Sequence, residues 1–187
     1  SFTVSVPTLQ DTIDESAETT SIVVDGVSAS GTINDDDAPP TTTTVEPGTP
    51  GAGADAVVEG TSLVYNVALS NASSVATTFA FSLGGGSASA SDFTNAPTFS
   101  NGVSLAGGIN TVPAGVTSFS VSVPTIDDAL VESGPNETLP LTIGGVTGNG
   151  AIIDNESAQT VTSVSADTQV EGTSLVHTVT LSGASAV

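Results

Sequence analysis

The chain has 187 residues and a formal net charge of −20, from 20 Asp and Glu set against no Lys or Arg. With no cationic side chain it cannot neutralise phosphates or hold an anionic membrane surface, which argues against nucleic-acid binding and polybasic membrane contact. Cys is absent too, so disulfides and thiolate metal sites are excluded. No apolar run reaches the length of a membrane-spanning helix, and the start resembles no secretory signal. There is no initiator Met, and the expectation is a piece of a longer chain. Disorder is the usual outcome for so acidic a composition. Here, however, hydrophobic residues make up 37%, and they fall in alternating runs that disordered tails lack.

In chain order, Ser1–Thr8 (SFTVSVPT) alternates like a strand. A loop carrying Asp11, Asp14, Glu15 and Glu18 follows, and Gly31–Asp37 (GTINDDD) closes the segment. Residues 39–56 are rich in Pro, Thr and Gly and read as a linker; Thr41–Thr44 is taken as part of it. Thr61–Ser70 places Leu63, Tyr65, Val67 and Leu69 on one face, and Ala76–Leu83 does the same with Phe79, Phe81 and Leu83. Thr117–Val123 repeats the pattern with Phe119, Val121 and Val123. Leu139–Ile143 and Gly150–Ile153 are shorter runs of the same kind. This is period-two alternation punctuated by Gly, Pro, Asn, Asp and Ser, with no amphipathic helix. It predicts an all-β, two-sheet antiparallel sandwich of the Ig-like kind.

Internal repetition is strong. Ser1–Thr8 returns as Ser118–Thr125 (SFSVSVPT), and Val58–Val64 (VEGTSLV) returns unchanged as Val170–Val176. Gly31–Asp35 matches Gly150–Asp154. The unit is about 115 residues, a normal size for a small sandwich. The expected organisation is tandem: residues 1–38 close one repeat, residues 57–158 form a complete one, and residues 159–187 open the next. Glu46–Ala52 has no counterpart in the third repeat and is expected to lengthen the first joint.

The acidic residues gather at strand ends. In the complete repeat these are Glu59, Asp92, Asp127, Asp128, Glu132, Glu137, Asp154 and Glu156; in the first they are Asp11, Asp14, Glu15, Glu18, Asp35, Asp36 and Asp37. Several carboxylates without His or Cys favour Ca²⁺ over transition metals, and over Mg²⁺, which keeps its water. The alternative is solvated acidic loops that hold no ion.

The order VEGTSLVYNVALSN, SASASDFT, VPAGVTSFSVSVPTIDDALVES and GAIIDNE resembles the Calx-beta domain over essentially the whole chain. The resemblance implies a Ca²⁺-binding Greek-key sandwich. Its ligands map onto Glu59, Asp92, Asp128, Glu132 and Asp154-Asn155-Glu156, with Asp127 and Glu137 as additions. Asp11, Glu15 and Asp35–Asp37 match them in the first repeat, and Glu171 matches Glu59 in the third. Asp55 and Asp167 are expected near the preceding repeat's closing acidic triplet. Val131 stands where the first repeat has Asp14, which implies fewer ions in the complete repeat. Tandem copies of this type resemble the extender region of giant secreted bacterial adhesins, including repeats-in-toxin adhesins. That implies an extracellular or cell-surface stalk supporting adhesion or biofilm, with neighbouring repeats or copies of itself in a filament as partners.

Catalysis is not expected. His177 replaces Tyr65 on a strand and reads as a core or edge substitution. Asp127 and Asp128 could do glycosidase chemistry, but the acidic positions recur between repeats and the chain has no Trp and one Tyr. The other functional class left open is a carbohydrate- or receptor-binding module. Its best location is the insertion Leu83–Leu105, with Phe93 and Phe99.

Overall fold

A computed structural model describes residues 1–49, 56–132, 134 and 136–185. Among them the regular structure is all strand. Residues 42–153 hold two sheets. One has the order Thr42–Pro47, Ser62–Leu69, Ser118–Pro124, Thr98–Phe99. The other runs Ser104–Ala106, Ile109–Val112, Thr77–Leu83, Glu137–Ile143, Val146–Ile153, Ala56–Val58. The alternating apolar faces meet between the sheets, as in a β-sandwich. Leu63, Tyr65, Val67, Val121 and Val123 from one sheet share a single core with Val112, Leu139, Leu141 and Ile143 from the other. The Tyr65 hydroxyl donates to the Leu139 carbonyl across this core, which satisfies the one polar atom that the buried ring brings with it.

Two expectations need correction. Thr42–Pro47, placed in the linker, is a strand paired with Ser62–Leu69, and Thr42, Val45 and Pro47 are buried. Thr42 and Val45 face the core while Thr43 and Thr44 are exposed, and this burial outweighs the proximity to Pro39-Pro40. The supposed insertion Glu46–Ala52 therefore begins inside this strand, not in the joint before it; residues 50–52 lie outside the described residues. Nor is the sandwich wholly antiparallel. Ala56–Val58 runs parallel to Val146–Ile153, with Val58 opposite Ile153. The opening of the sandwich thus contributes one strand to each sheet, and the second runs alongside the last strand in the same direction.

The flanking segments reproduce pairings of this sandwich. Glu18–Val24 and Val27–Ile33 form a hairpin whose register, Glu18 opposite Ile33, corresponds to Glu137 opposite Ile152. Its turn, Asp25-Gly26, has positive φ at both positions (50° and 77°), the conformation that a two-residue hairpin turn requires. Val161–Val164 pairs with Val179–Leu181 and has a register shift between Val161 and Ser163. Thr42–Pro47 shows the same shift against Ser62–Leu69, between Thr42 and Thr44.

Other parts of the same sequence repeats do not form strands. Residues 1–11 contain none, although Ser118–Pro124 is a buried strand. The second VEGTSLV is likewise exposed and contains no strand. Leu63 is 0% exposed and its counterpart Leu175 is 60% exposed. These two leucines sit in identical heptapeptides. Leu63→Ala is therefore expected to cost about 2–5 kcal/mol, and Leu175→Ala no more than about 0.5 kcal/mol. Urea unfolding of the two variants checks this; equal effects would contradict the burial pattern.

Candidate metal centre

Four strand ends converge where the acidic residues lie. The parallel pairing that ends at Val58 and Ile153 sets Glu59 beside Asp154. The Glu59 amide donates to the Ile153 carbonyl (3.1 Å), and the Asn155 amide donates to Glu59 Oε1 (3.2 Å). Glu137 begins its strand opposite Ile152, at the same end. A bridge between Phe93 and Thr125 brings Asp92 to the end of Ser118–Pro124, where the Ile126 amide donates to the Asp92 carbonyl (2.9 Å). Gly60 explains the glycine after Glu59. Its φ is +76°, and a Cβ there would lie 2.8 Å from Asp127 Cβ, so only glycine permits both the turn and the approach of the 127–132 loop.

The carboxylates form two groups, Glu59–Asp154–Glu156 and Asp92–Glu132–Glu137, each with ligand atoms within 4.8 Å of one another. Glu59 and Asp92 are buried, at 7% and 5% exposed. Oε2 of Glu137 and Oε2 of Glu156 are enclosed without a hydrogen-bond partner.

Burial and the neighbouring Asp92, Glu59, Asp128 and Asp154 charges push Glu132 up to about 6. Burial, and then contact with Asp92, push Glu137 to about 7. Contact with Glu59, followed by desolvation and contact with Asp154, takes Glu156 to about 7. Two carboxylates brought together need a proton or a cation between them. Burial would also raise Asp92, but the Ser89 amide and the Ser91 and Ser89 hydroxyls outweigh it and hold that carboxyl below its ordinary range. Asp154 is held low in the same way, burial being outweighed by the Glu132 and Glu156 amides. A set of carboxylate oxygens, some anionic and some sharing protons, fits a hard divalent cation with several oxygen ligands; its binding would release those protons.

The first acidic segment has the same frame. The Glu15 amide donates to Asp35 Oδ2 (2.8 Å), as the Glu132 amide does to Asp154 Oδ2 (3.1 Å). The Ile13 amide donates to Asp11 Oδ1 (2.8 Å), as the Leu130 amide does to Asp128 Oδ1 (2.6 Å). Asp35, Asp36 and Asp37 form a third acidic group. Glu15 and Asp37 are raised by desolvation and then by neighbouring carboxylates.

Of the remaining candidates, Asp127 accepts from the Asn155 side-chain amide (2.9 Å) and Asp128 caps its own loop, and neither aspartate belongs to the two groups. Glu171 is exposed and belongs to none of the acidic groups among the described residues. Asp55 lies outside the described residues. Asp167 accepts the Val176 amide (2.8 Å) within its own loop.

The Asp14 carboxylate accepts from the Ser73 hydroxyl (2.7 Å), a side-chain contact that Val131 in its place cannot make. Sequence reasoning missed Ser89 and Ser91, which fix Asp92; the signal was Ser-Ala-Ser-Asp, a spacing that favours local side-chain-to-backbone turns. No protein-family model matches this chain, and no curated protein matches it.

The raised glutamates carry a sign. Glu132, Glu137 and Glu156 hold protons in the folded chain that the unfolded chain, with the ordinary value 4.5, has released. Where the native state binds more protons, stability falls as pH rises. In chelator the melting temperature is expected to fall between pH 4.5 and about 7. With Ca²⁺ present, that decline is expected to flatten. Melting curves across this range, with and without Ca²⁺, provide the check; a chelator profile that rises through the window would contradict the protonated carboxylate pairs.

Proposed function

We propose that the chain is a stretch of tandem, Calx-beta-type Greek-key sandwich repeats that bind Ca²⁺ and serve as a stiff extender in a secreted or cell-surface bacterial adhesin. The observation that carries this reading is the recurrence of the acidic frame. Asp11, Glu15 and Asp35 in one segment, and Asp128, Glu132 and Asp154 in the next, make the same two backbone hydrogen bonds. A structural cation site is repeated with each unit, whereas a single active site has no reason to be. Oxygen-only sites in extracellular modules suit Ca²⁺ at about 10⁻⁴–10⁻³ M, a concentration range available outside cells. The stalk reading also gains from the insertion Leu83–Leu105. Phe93 and Phe99 pack against the core, and Phe99 meets Phe81 edge-on at 5.9 Å, so neither ring is presented as a platform for a sugar.

Ca²⁺ that binds the folded loops and not the unfolded chain stabilises by mass action, by about 2.7 kcal/mol at a hundred times Kd. For a domain of this size that corresponds to roughly 10 °C. Chelation is therefore expected to lower the melting temperature by about that much. Glu59→Gln together with Glu132→Gln removes two charges with little change of shape and is expected to abolish most of the difference. Calorimetric titration with Ca²⁺ tests the site directly; no heat of binding at millimolar Ca²⁺, with an unchanged melting curve, would overturn the reading.

A further inference from the structure

The acidic loop has a second role at its tip. Between the capping Asp11 and the tethered Glu15, Ile13–Asp14 forms a parallel bridge with Ala72–Ser73 of the sandwich. Between Asp128 and Glu132, Leu130–Val131 forms a parallel bridge with Ala184–Ser185. The donor segments occupy matching positions in their repeats, as do the acceptor segments, so one contact is made twice. The acceptor turn lies at the end of the sandwich opposite the acidic groups, because Ser62–Leu69 starts beside Glu59 and ends just before it. The acidic end of one unit therefore meets the plain end of the next.

In the first joint the contact is built in depth. The Ser74 amide donates to the Asp14 carbonyl (2.9 Å), and the Ser73 hydroxyl donates to the Asp14 carboxylate (2.7 Å). Ser73 is buried, and its carbonyl accepts the Gly115 amide (2.9 Å), which anchors the turn to the sandwich. The Asn71 side-chain amide reaches back to the Ala38 carbonyl in the connecting segment (2.9 Å). In the second joint Val131 replaces Asp14 and Gly183 replaces Asn71, so neither side-chain bond can form there.

We propose that successive repeats dock end to end through this joint. The tip of one unit's acidic loop lies as a two-residue strand on the turn that follows the next unit's first long strand. The side chains at positions 14 and 71 make the first joint stiffer than the second. The partner that fits the surface is a second copy of this repeat, an identification that rests on the repeat reading above; the docking itself does not depend on a cation. Domains joined by a short linker are by default mobile with respect to one another, and paired backbone with a buried serine opposes that motion.

The test uses the full chain, which has no native cysteine. Neighbouring strands lie about 4.8 Å apart, within the Cα separation that a disulfide spans. Asp14→Cys with Ser73→Cys, and separately Val131→Cys with Ser185→Cys, are expected to close to a disulfide under mild oxidation in chelator, seen as a gel shift without reductant. Asp14→Cys with Ala90→Cys, at the opposite end of the sandwich, is not. Joint pairs that close no faster than this control would overturn the docking, whatever the Ca²⁺ titration shows.

Hydrogen exchange on the chain without cysteines reads the stiffness. Asp14→Val is expected to speed exchange of the Ser74 amide by on the order of fivefold, as loss of one hydrogen bond implies, with sandwich-core exchange unchanged. Unchanged Ser74 exchange would overturn the assigned difference in stiffness.

Discussion

Twenty carboxylates and no lysine or arginine leave this chain without the ion pairs that ordinarily neutralise clustered acid. Each buried carboxylate must find an amide, a hydroxyl, a proton or a cation from solution. The first two are plain in the structure. Asp92 is held by Ser89 and Ser91, Asp154 accepts two amides, and Glu137 and Glu156 lie against other carboxylates with one oxygen enclosed and unpartnered. The sandwich core is largely apolar, whereas the glutamates whose carboxyls are pushed up by burial and by one another lie at its acidic end.

The same constraint shapes the connections. A loop rich in like charge would spread into water, yet this one is held at both ends by its own backbone, through a cap from Asp128 and a tether from Glu132 to Asp154. The residues between are thereby left extended and able to pair. Acid that would repel in a loose loop here stiffens it and presents Leu130–Val131 to the next segment. The first acidic segment does the same with Ile13–Asp14.

How far the sequence could be read depends on whether the deciding forces were local. Alternation located Ser62–Leu69, Thr77–Leu83 and Ser118–Pro124 to within a residue or so, because one buried face imposes period two. The strand ends identified the acidic residues, and the glycine after Glu59 marked a turn that only glycine can make against Asp127. What could not be read was non-local. The parallel strand Ala56–Val58, which brings Glu59 to Asp154, depends on a partner almost a hundred residues away. The use of Asp14 depends on Ser73 in the neighbouring sandwich.

The repeats separate the two kinds of information. SFTVSVPT and SFSVSVPT have nearly the same propensity and pattern, and the two copies of VEGTSLV have identical ones. In each pair, one copy is built into the sandwich while the other lies exposed with no strand. Composition and periodicity determined that these segments can be strands, which residues would face a core, and that the acid lies at strand ends. Whether a given copy becomes a strand was decided by tertiary structure alone. A strand's backbone groups and apolar face are stabilised only by partners, and Leu63 and Val121 have theirs across the sandwich whereas Leu175 and Val4 do not.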